Sequence, residues 1–240
     1  MSKEESLRAA GKVAAQIHRL IGERAVIGAN LLNLEQLAAD IIAENQMTAP
    51  FKGFNGYPNV TCLSVNSEIV HGIPKDYELK NGDILSVDLG VACDDWIVDT
   101  ARTHIVGTAD EKARNLVETT RQALAEALKI ATVGHTIGDI GATVQEIVEN
   151  AGFAVVRELH GHGVGRTLQE PPSIPNYGQF GRGLPLKEGM VLAIEPITTL
   201  KPSTIAVEDD GWTIIAVKDV PAAHFEDTII VGQNKCEILT

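Results

Sequence analysis

The sequence repeats one order of elements, two helices followed by strands. The segment KNGDILSVDLG begins at Lys80, and the similar segment KEGMVLAIEPI begins 107 residues later at Lys187. This alignment places Asp88 opposite Glu195. Repetition at a fixed offset indicates two copies of one structural unit. We therefore expect an α+β domain of two like halves, facing each other across a pseudo-twofold axis. The halves are predicted at about 1–107 and 108–240.

The local patterns support this order of elements. Apolar residues at helical spacing predict four helices, at 6–28, 33–46, 110–131 and 136–152. Asn33 with Gln36 forms a capping-box pattern, Asp110 is a predicted N-cap, and Gly152 is a predicted helix stop. Alternating and β-branched segments predict strands at 83–91, 95–107, 153–159, 190–197, 211–217 and 227–232.

Charge and composition argue against several classes of protein. The net charge of −12 gives no broad electrostatic footprint for DNA. No apolar run reaches the roughly 18 residues of a membrane span, and the charged N-terminal segment is unlike a signal peptide. Three widely spaced cysteines, without a CxxC pair, indicate a reducing compartment rather than a disulfide framework. We expect a cytoplasmic protein that binds neither DNA nor membranes.

Four acids interrupt or border apolar strand segments. They are Asp88, Asp99, Glu195 and Glu226. Any one of them could be a strand-end acid facing water, but four acids repeated between the halves indicate a built site. A buried carboxylate must be paired, protonated or bound to a metal.

His162 lies between glycines and would add one nitrogen ligand to the four acids, although a turn histidine is the plain alternative. Such an oxygen-rich set suits Mn, Fe, Co or Zn, and four carboxylates suffice to hold two divalent ions.

Seven motifs together carry a resemblance to a known family. They are VNSEIVHGIP, GDILSVDLG, VDT, GHGVG, IPNYG, GMVLAIEP and FEDTIIV. From about residue 7 to 240 the chain resembles the bacterial type I methionine aminopeptidases, which have the pita-bread fold. The resemblance implies a metallo-exopeptidase that removes the N-terminal methionine from nascent proteins with a small second residue.

The resemblance also assigns the ligands and the reacting groups. Two divalent ions would be bound by Asp88, Asp99, His162, Glu195 and Glu226, with Asp99 and Glu226 bridging both ions. A metal-bridging hydroxide would attack the methionine carbonyl. Glu195 would handle the proton, and His71 would lie near the scissile amide. From the residues alone, a turn is the favoured interpretation of HGIP around His71.

A methionine pocket follows from the same resemblance. Its walls would be Phe54, Tyr57, Cys62, Leu168 and Trp212, an apolar slot for an unbranched and polarisable side chain. Cys62 is then a pocket wall and not a nucleophile. The remaining histidines are predicted to be structural, and they are His18, His104, His135 and His224. His160 is predicted to support the site or to pack.

One departure from the family falls in the active site. The family has a second histidine seven residues after the GHG histidine, and this chain has Gln169 there. The family histidine hydrogen-bonds the substrate carbonyl region, so Gln169 is predicted to bind substrate and to slow catalysis. A glutamine amide donates a hydrogen bond but cannot become cationic. Smaller departures are Phe51 at the pocket edge and Asp227 beside Glu226, where the added acid is expected to alter metal affinity.

Two other functions remain open from the sequence. An Xaa-Pro aminopeptidase-like or creatinase-like hydrolase would share the fold, but such chains usually carry an additional N-terminal domain. An inactive pita-bread module that binds peptides would be expected to lose metal ligands. For the preferred function the partners are nascent-chain N-termini and the ribosome. We expect a monomer without an N-terminal zinc-finger extension.

Overall fold

The computed structural model describes all 240 residues. It contains four α-helices and fourteen β-strands, with a short 3-10 helix at Phe54–Gly56. The helices are α1 Lys3–Arg24, α2 Leu31–Glu44, α3 Glu111–Ile130 and α4 Ile137–Asn150. The strands are β1 Thr61–Val65, β2 Glu68–Val70, β3 Ile84–Cys93, β4 Trp96–Ile105, β5 Ala154–Val155, β6 His160–Gly163, β7 Glu170–Pro175, β8 Val191–Ile194, β9 Ile197–Thr199, β10 Ile205–Val207, β11 Ile214–Ala216, β12 Ala222–His224, β13 Asp227–Ile230 and β14 Glu237–Ile238.

The helix ends follow from their capping residues. Asp110 caps α3 by accepting a hydrogen bond from the Ala113 N–H, as predicted. The N-cap of α2 is Asn30, whose side chain accepts from the Leu32 N–H. The prediction of Asn33 as the cap is therefore wrong, because the short asparagine side chain at residue 30 already reaches an unpaired N–H of the first turn. No helix is both long and apolar enough to cross a membrane.

Two apolar cores lie beneath the helix pairs. In the first, α1 and α2 pack on the antiparallel sheet β1-β3-β4. In the second, α3 and α4 cover the antiparallel sheet β14-β13-β8-β6-β7. The remaining strands form two three-stranded sheets, in the orders β10-β11-β2 and β12-β9-β5.

The predicted strand at 190–197 is broken into β8 and β9 at Glu195–Pro196. Pro196 has no N–H to donate to a ladder. The Glu195 carbonyl is instead satisfied by the Asn176 side-chain amide at 2.8 Å. The predicted strand at 153–159 shortens to the two residues of β5. The break leaves Glu195 at the end of a buried strand, where its side chain can enter a site.

The two cores meet where β4 lies against β13. Ala101 and Glu226 exchange both backbone hydrogen bonds, at 3.2 and 2.9 Å. The Thr228 hydroxyl accepts from the Asp99 N–H at 2.8 Å and donates to the Asp99 carbonyl at 2.7 Å. These contacts hold one acid from each half at the seam between the sheets.

Candidate metal centre and active site

Five strands or strand ends carry the predicted metal ligands to one place. Asp88 lies in β3, Asp99 in β4 and His162 in β6. Glu195 follows β8 directly, and Glu226 precedes β13. All five line one cavity of about 190 Å³. Ligand atoms of Asp99, His162 and Glu226 lie within 4.8 Å of one another.

His162 is oriented as a nitrogen ligand. Its Nδ1 hydrogen-bonds the Gly163 carbonyl at 2.9 Å, so Nδ1 carries the proton and Nε2 has the free lone pair. Nε2 lies 3.7 Å from Asp99 Oδ2 and 3.6 Å from Glu195 Oε1. A lone pair facing two carboxylate oxygens at these distances is an arrangement that a cation would complete. A carbonyl that fixes the imidazole tautomer is typical of metal-binding histidines.

The glycines beside His162 are required by close backbone neighbours. A Cβ at residue 161 would lie 2.4 Å from the Ala193 carbonyl oxygen, and one at residue 163 would lie 2.4 Å from the Pro171 carbonyl oxygen. Strands β7 and β8 therefore flank β6 with no room for a methyl group on either glycine. His162 is held at a fixed depth in the sheet.

Gly163→Ala should destabilise the protein and weaken metal binding together. The added methyl group must push β7 away from β6, at a cost of about 1–3 kcal/mol in unfolding free energy. Gly165→Ala is the matched control, because its Cβ would meet only the Glu170 carboxylate, at 3.1 Å. Urea unfolding and metal titration of both variants measure the difference. Equal stability and equal metal affinity in the two would refute this explanation of the glycines.

The four acids are crowded together; Asp88, Asp99 and Glu226 are buried, and the Glu195 side chain is 11% exposed. Burial raises the pKa of Asp99 to about 7. Burial, and next the charge of Asp99, raise the pKa values of Asp88, Glu195 and Glu226 well above their usual range. The carboxylates thus destabilise one another when all are charged and no cation is present.

The residues present fit divalent metal ions. Asp88 Oδ1 and Glu226 Oε1 are buried and have no hydrogen-bond partner in the protein. Unpaired buried oxygens are rare because each forfeits its hydration. Oxygen donors with a single imidazole nitrogen are the ligands that Mn, Fe, Co and Zn accept. A divalent cation would satisfy both orphaned oxygens and offset the repulsion between the acids.

The residues predicted for the methionine pocket line the same cavity. They are Phe54, Tyr57, Cys62, Leu168 and Trp212. The rings of Tyr57 and Trp212 meet edge to face, with centroids 5.2 Å apart. The Tyr57 hydroxyl donates to the Thr61 carbonyl at 2.9 Å, which turns the ring into the wall. Burial raises the pKa of the Cys62 thiol, which therefore stays protonated and unreactive.

His71 and Gln169 both line the cavity. His71 has φ +59°, a left-handed conformation that costs a non-glycine residue about 1–3 kcal/mol. Such strain is concentrated at functional sites. Burial lowers the pKa of the His71 imidazole, which favours its neutral form. Gln169 is exposed at the mouth of the cavity, where its amide can meet a substrate.

Two cavity-lining residues were not among the predicted binding residues. Phe51, predicted only at the pocket edge, is a buried wall, and Asn55 also lines the cavity. Asp227 does not line the cavity and pairs with Arg102 at 2.5 Å, although its charge is among the smaller causes that raise the pKa of Glu226. Successive strand residues point to opposite faces, so the residue after a ligand leaves the site. His160, predicted to support the site or to pack, is the exposed first residue of β6.

Comparison with known proteins shows the family of this chain. The model of metallopeptidase family M24 matches residues 5–233. The chain belongs to metallopeptidase family M24. The methionine aminopeptidase of Clostridium perfringens is 39% identical to it over 234 residues, which are 98% of this chain and 94% of that protein. Methionine aminopeptidase 1 of Bacillus subtilis shows the same identity and coverage.

A solved structure agrees with the sequence comparison. The crystal structure of the Thermotoga maritima methionine aminopeptidase superposes on this M24 chain with a TM-score of 0.97. It is 42% identical and covers 99% of this chain and 96% of its own. The predictions of a pita-bread fold and of a metal-dependent methionyl aminopeptidase are confirmed at the level of fold, family and activity.

Proposed function

We propose that the protein removes N-terminal methionine from chains with a small second residue, using two divalent ions held by Asp88, Asp99, His162, Glu195 and Glu226. The observation that carries the proposal is the convergence of these five donors on a cavity whose other side is apolar. The apolar side would hold the methionine side chain, and the donors would lie at its amino group and carbonyl.

The ligands come from both halves of the fold. Asp99 and Glu226 belong to opposite halves that are joined through β4 and the start of β13, and with Asp88, His162 and Glu195 they would hold the two ions. Bound divalent ions would supply Lewis-acid polarisation of the scissile carbonyl and would lower the pKa of a water molecule toward neutrality.

The protein's own groups would move the proton and orient the peptide. Glu195 would accept a proton from the attacking water and return it to the leaving amine. His71, held in a strained backbone conformation, would hydrogen-bond the scissile amide. Gln169 would donate its side-chain N–H to the carbonyl region of the substrate.

The apolar wall explains the preference for methionine. Phe54, Leu168 and Trp212 surround a slot that suits a flexible thioether, and sulfur contacts with aromatic rings are favourable. Nothing in this wall presents a charge to the side chain. A free amino group beside the carboxylates would restrict the enzyme to the first residue of a chain.

A peptide panel on metal-stripped protein tests the proposal. The protein is loaded with Mn, Fe, Co or Zn in separate samples. Each sample is assayed with four peptides, which are Met-Ala-Ser, Met-Phe-Ser, Ala-Pro-Ser and formyl-Met-Ala-Ser. We expect methionine release from Met-Ala-Ser alone, because a formyl group removes the free amine and a large second residue does not fit. Cleavage of Ala-Pro-Ser instead would establish the Xaa-Pro activity. No turnover with any metal, despite bound ions, would indicate an inactive peptide-binding module.

Gln169→His should raise kcat/KM on Met-Ala-Ser about fivefold to tenfold. An imidazole can carry positive charge as charge develops on the carbonyl oxygen, and a charged hydrogen bond is worth about 1–1.5 kcal/mol more than the neutral one that the glutamine amide donates. Gln169→Leu is the control and should fall below the parent if the glutamine amide donates. Steady-state kinetics with one metal measure all three proteins. Unchanged or lower activity in the histidine variant would refute the role given to residue 169.

The cellular setting is part of the same proposal. Nascent chains would be the substrates, which implies a cytoplasmic enzyme that meets the ribosome. We also propose a monomer, because each chain contributes a whole cavity. Sedimentation of the pure protein and cosedimentation with ribosomes test these two statements separately.

A further inference from the structure

His224 is a buried imidazole that the proposed mechanism does not use. It is the last residue of β12 and only 2% of its surface is exposed. Neither ring nitrogen has a hydrogen-bond partner in the protein. Leaving two polar atoms of one side chain buried and unpaired is unfavourable, so a role beyond packing is indicated.

The His224 ring lies beside two of the proposed metal ligands and does not line the cavity. Its Nε2 is 3.4 Å from Glu195 Oε2 and 3.9 Å from Glu226 Oε2. The other oxygen of Glu195, Oε1, lies 3.6 Å from His162 Nε2. The Glu195 carboxylate is therefore placed between two imidazoles, with one oxygen toward each.

The backbones of both partners are fixed. The Thr103 hydroxyl accepts from the His224 N–H at 2.9 Å and donates to the His224 carbonyl at 2.7 Å. His224 also pairs with Ile197 in the β12–β9 ladder. The Glu195 carbonyl accepts the Asn176 amide at 2.8 Å. With both main chains held, a small side-chain rotation is enough to close the 3.4 Å separation into a hydrogen bond.

We propose that His224 is a positioning residue that donates its Nε2–H to Glu195 Oε2. An ionised carboxylate only accepts hydrogen bonds, so the imidazole must be the donor. The bond would occupy Oε2 and direct Oε1 toward His162 and the ion that both would share. A carboxylate held in this way cannot rotate to exchange Oε1 for Oε2 as the metal-binding oxygen. The inference rests on the proposed function, in which Glu195 is a ligand and handles a proton.

Amide substitutions at residue 224 distinguish the effect of the hydrogen-bond donor from the effect of the ring's volume. His224→Gln can place an amide nitrogen near the position of Nε2, whereas the shorter side chain of His224→Asn reaches only as far as Nδ1. His224→Leu fills the space without a donor. Each full-length protein is stripped of metal and titrated with Co²⁺ alone, and the visible absorption of the bound Co²⁺ is recorded.

We expect the Co²⁺ dissociation constant to rise about tenfold to a hundredfold in His224→Asn and His224→Leu. His224→Gln should stay near the parent value and keep the parent spectrum, because it retains the donor. The Asn and Leu variants should show a changed Co²⁺ spectrum, since Glu195 would bind with different geometry. Rescue by glutamine is an effect that a purely packing role would not produce.

Three results would overturn the inference. Parental affinity and spectrum in His224→Asn would show that no donor is needed. Equal loss in Gln and Asn variants would show that ring shape matters and hydrogen bonding does not. If His224→Leu fails to fold by circular dichroism, the Gln and Asn pair still decides. A parent protein that binds no Co²⁺ would overturn the proposed function together with this inference, whereas failure of the inference alone leaves the parent's binding and turnover intact.

Discussion

Glu226→Gln should lower kcat/KM on Met-Ala-Ser by about a thousandfold or more. Glu226 is 2% exposed, and its Oε1 has no hydrogen-bond partner in the protein. In the proposed site its carboxylate would be a metal ligand, so the amide of glutamine would remove a negative charge and would place an N–H group where a metal needs an oxygen lone pair. Bound metals contribute several kcal/mol to stabilisation of the transition state, and each 1.4 kcal/mol is tenfold in rate.

The neighbouring acid supplies the control for this loss. Asp227 follows Glu226 directly as the first residue of β13, and its carboxylate pairs with Arg102. Asp227→Asn should keep the parental number of bound ions and most of the turnover. It should lose stability by about 1.5–3 kcal/mol, the contribution of a hydrogen bond to a charged group.

Metal analysis, steady-state kinetics and urea unfolding of the two variants separate the effects. We expect Glu226→Gln to lose activity and bound metal but to keep its stability. We expect Asp227→Asn to keep its metal and most of its activity but to lose stability. Turnover by Glu226→Gln within tenfold of the parent would remove Glu226 from the ligand set. Loss of metal from Asp227→Asn would show that charge near the site matters more than direct coordination.

The buried acids could be predicted from the sequence because they conflict with their surroundings. Asp88 in ILSVDLGV and Glu195 in VLAIEPIT stand in segments too apolar for an unpaired charge, and the offset between the halves relates the two positions. Burial on strands is therefore enough to suggest a cation. Sequence alone does not give the seam where Thr228 fixes Asp99, because that contact joins residues 129 positions apart.

Other features depend on packing that no local pattern carries. His224 has no local signal in the sequence, because β12 ends at His224 and the break at Phe225 separates it from Glu226. Its place beside Glu195 depends on the pairing of β12 with β9. The depth of His162 depends on carbonyls from β7 and β8, and the direction of Asp227 depends on Arg102 from β4. Each of these partners comes from another strand of the fold.

Divalent metal should raise the melting temperature of the stripped protein by about 8–16 °C. A ligand that binds only the folded state at a thousand times its dissociation constant adds about 4 kcal/mol of stability. For a chain of this length each kcal/mol is worth about 2–4 °C. The physical source of the effect is the cluster of four acids, three of them buried and Glu195 11% exposed, whose mutual repulsion a cation removes.

Glu226→Gln tests this origin of the metal-induced shift. The variant removes one charge from the cluster, so without metal it should melt at or above the temperature of the parent, and Co²⁺ should shift its melting temperature far less. The parent enzyme would thus hold acids that weaken its metal-free fold in order to bind the ions that catalysis needs. Calorimetry of both stripped proteins, with and without Co²⁺, measures the four temperatures. An unchanged melting temperature of the parent on addition of Co²⁺, or a metal-free variant less stable than the parent, would contradict a cation-completed cluster.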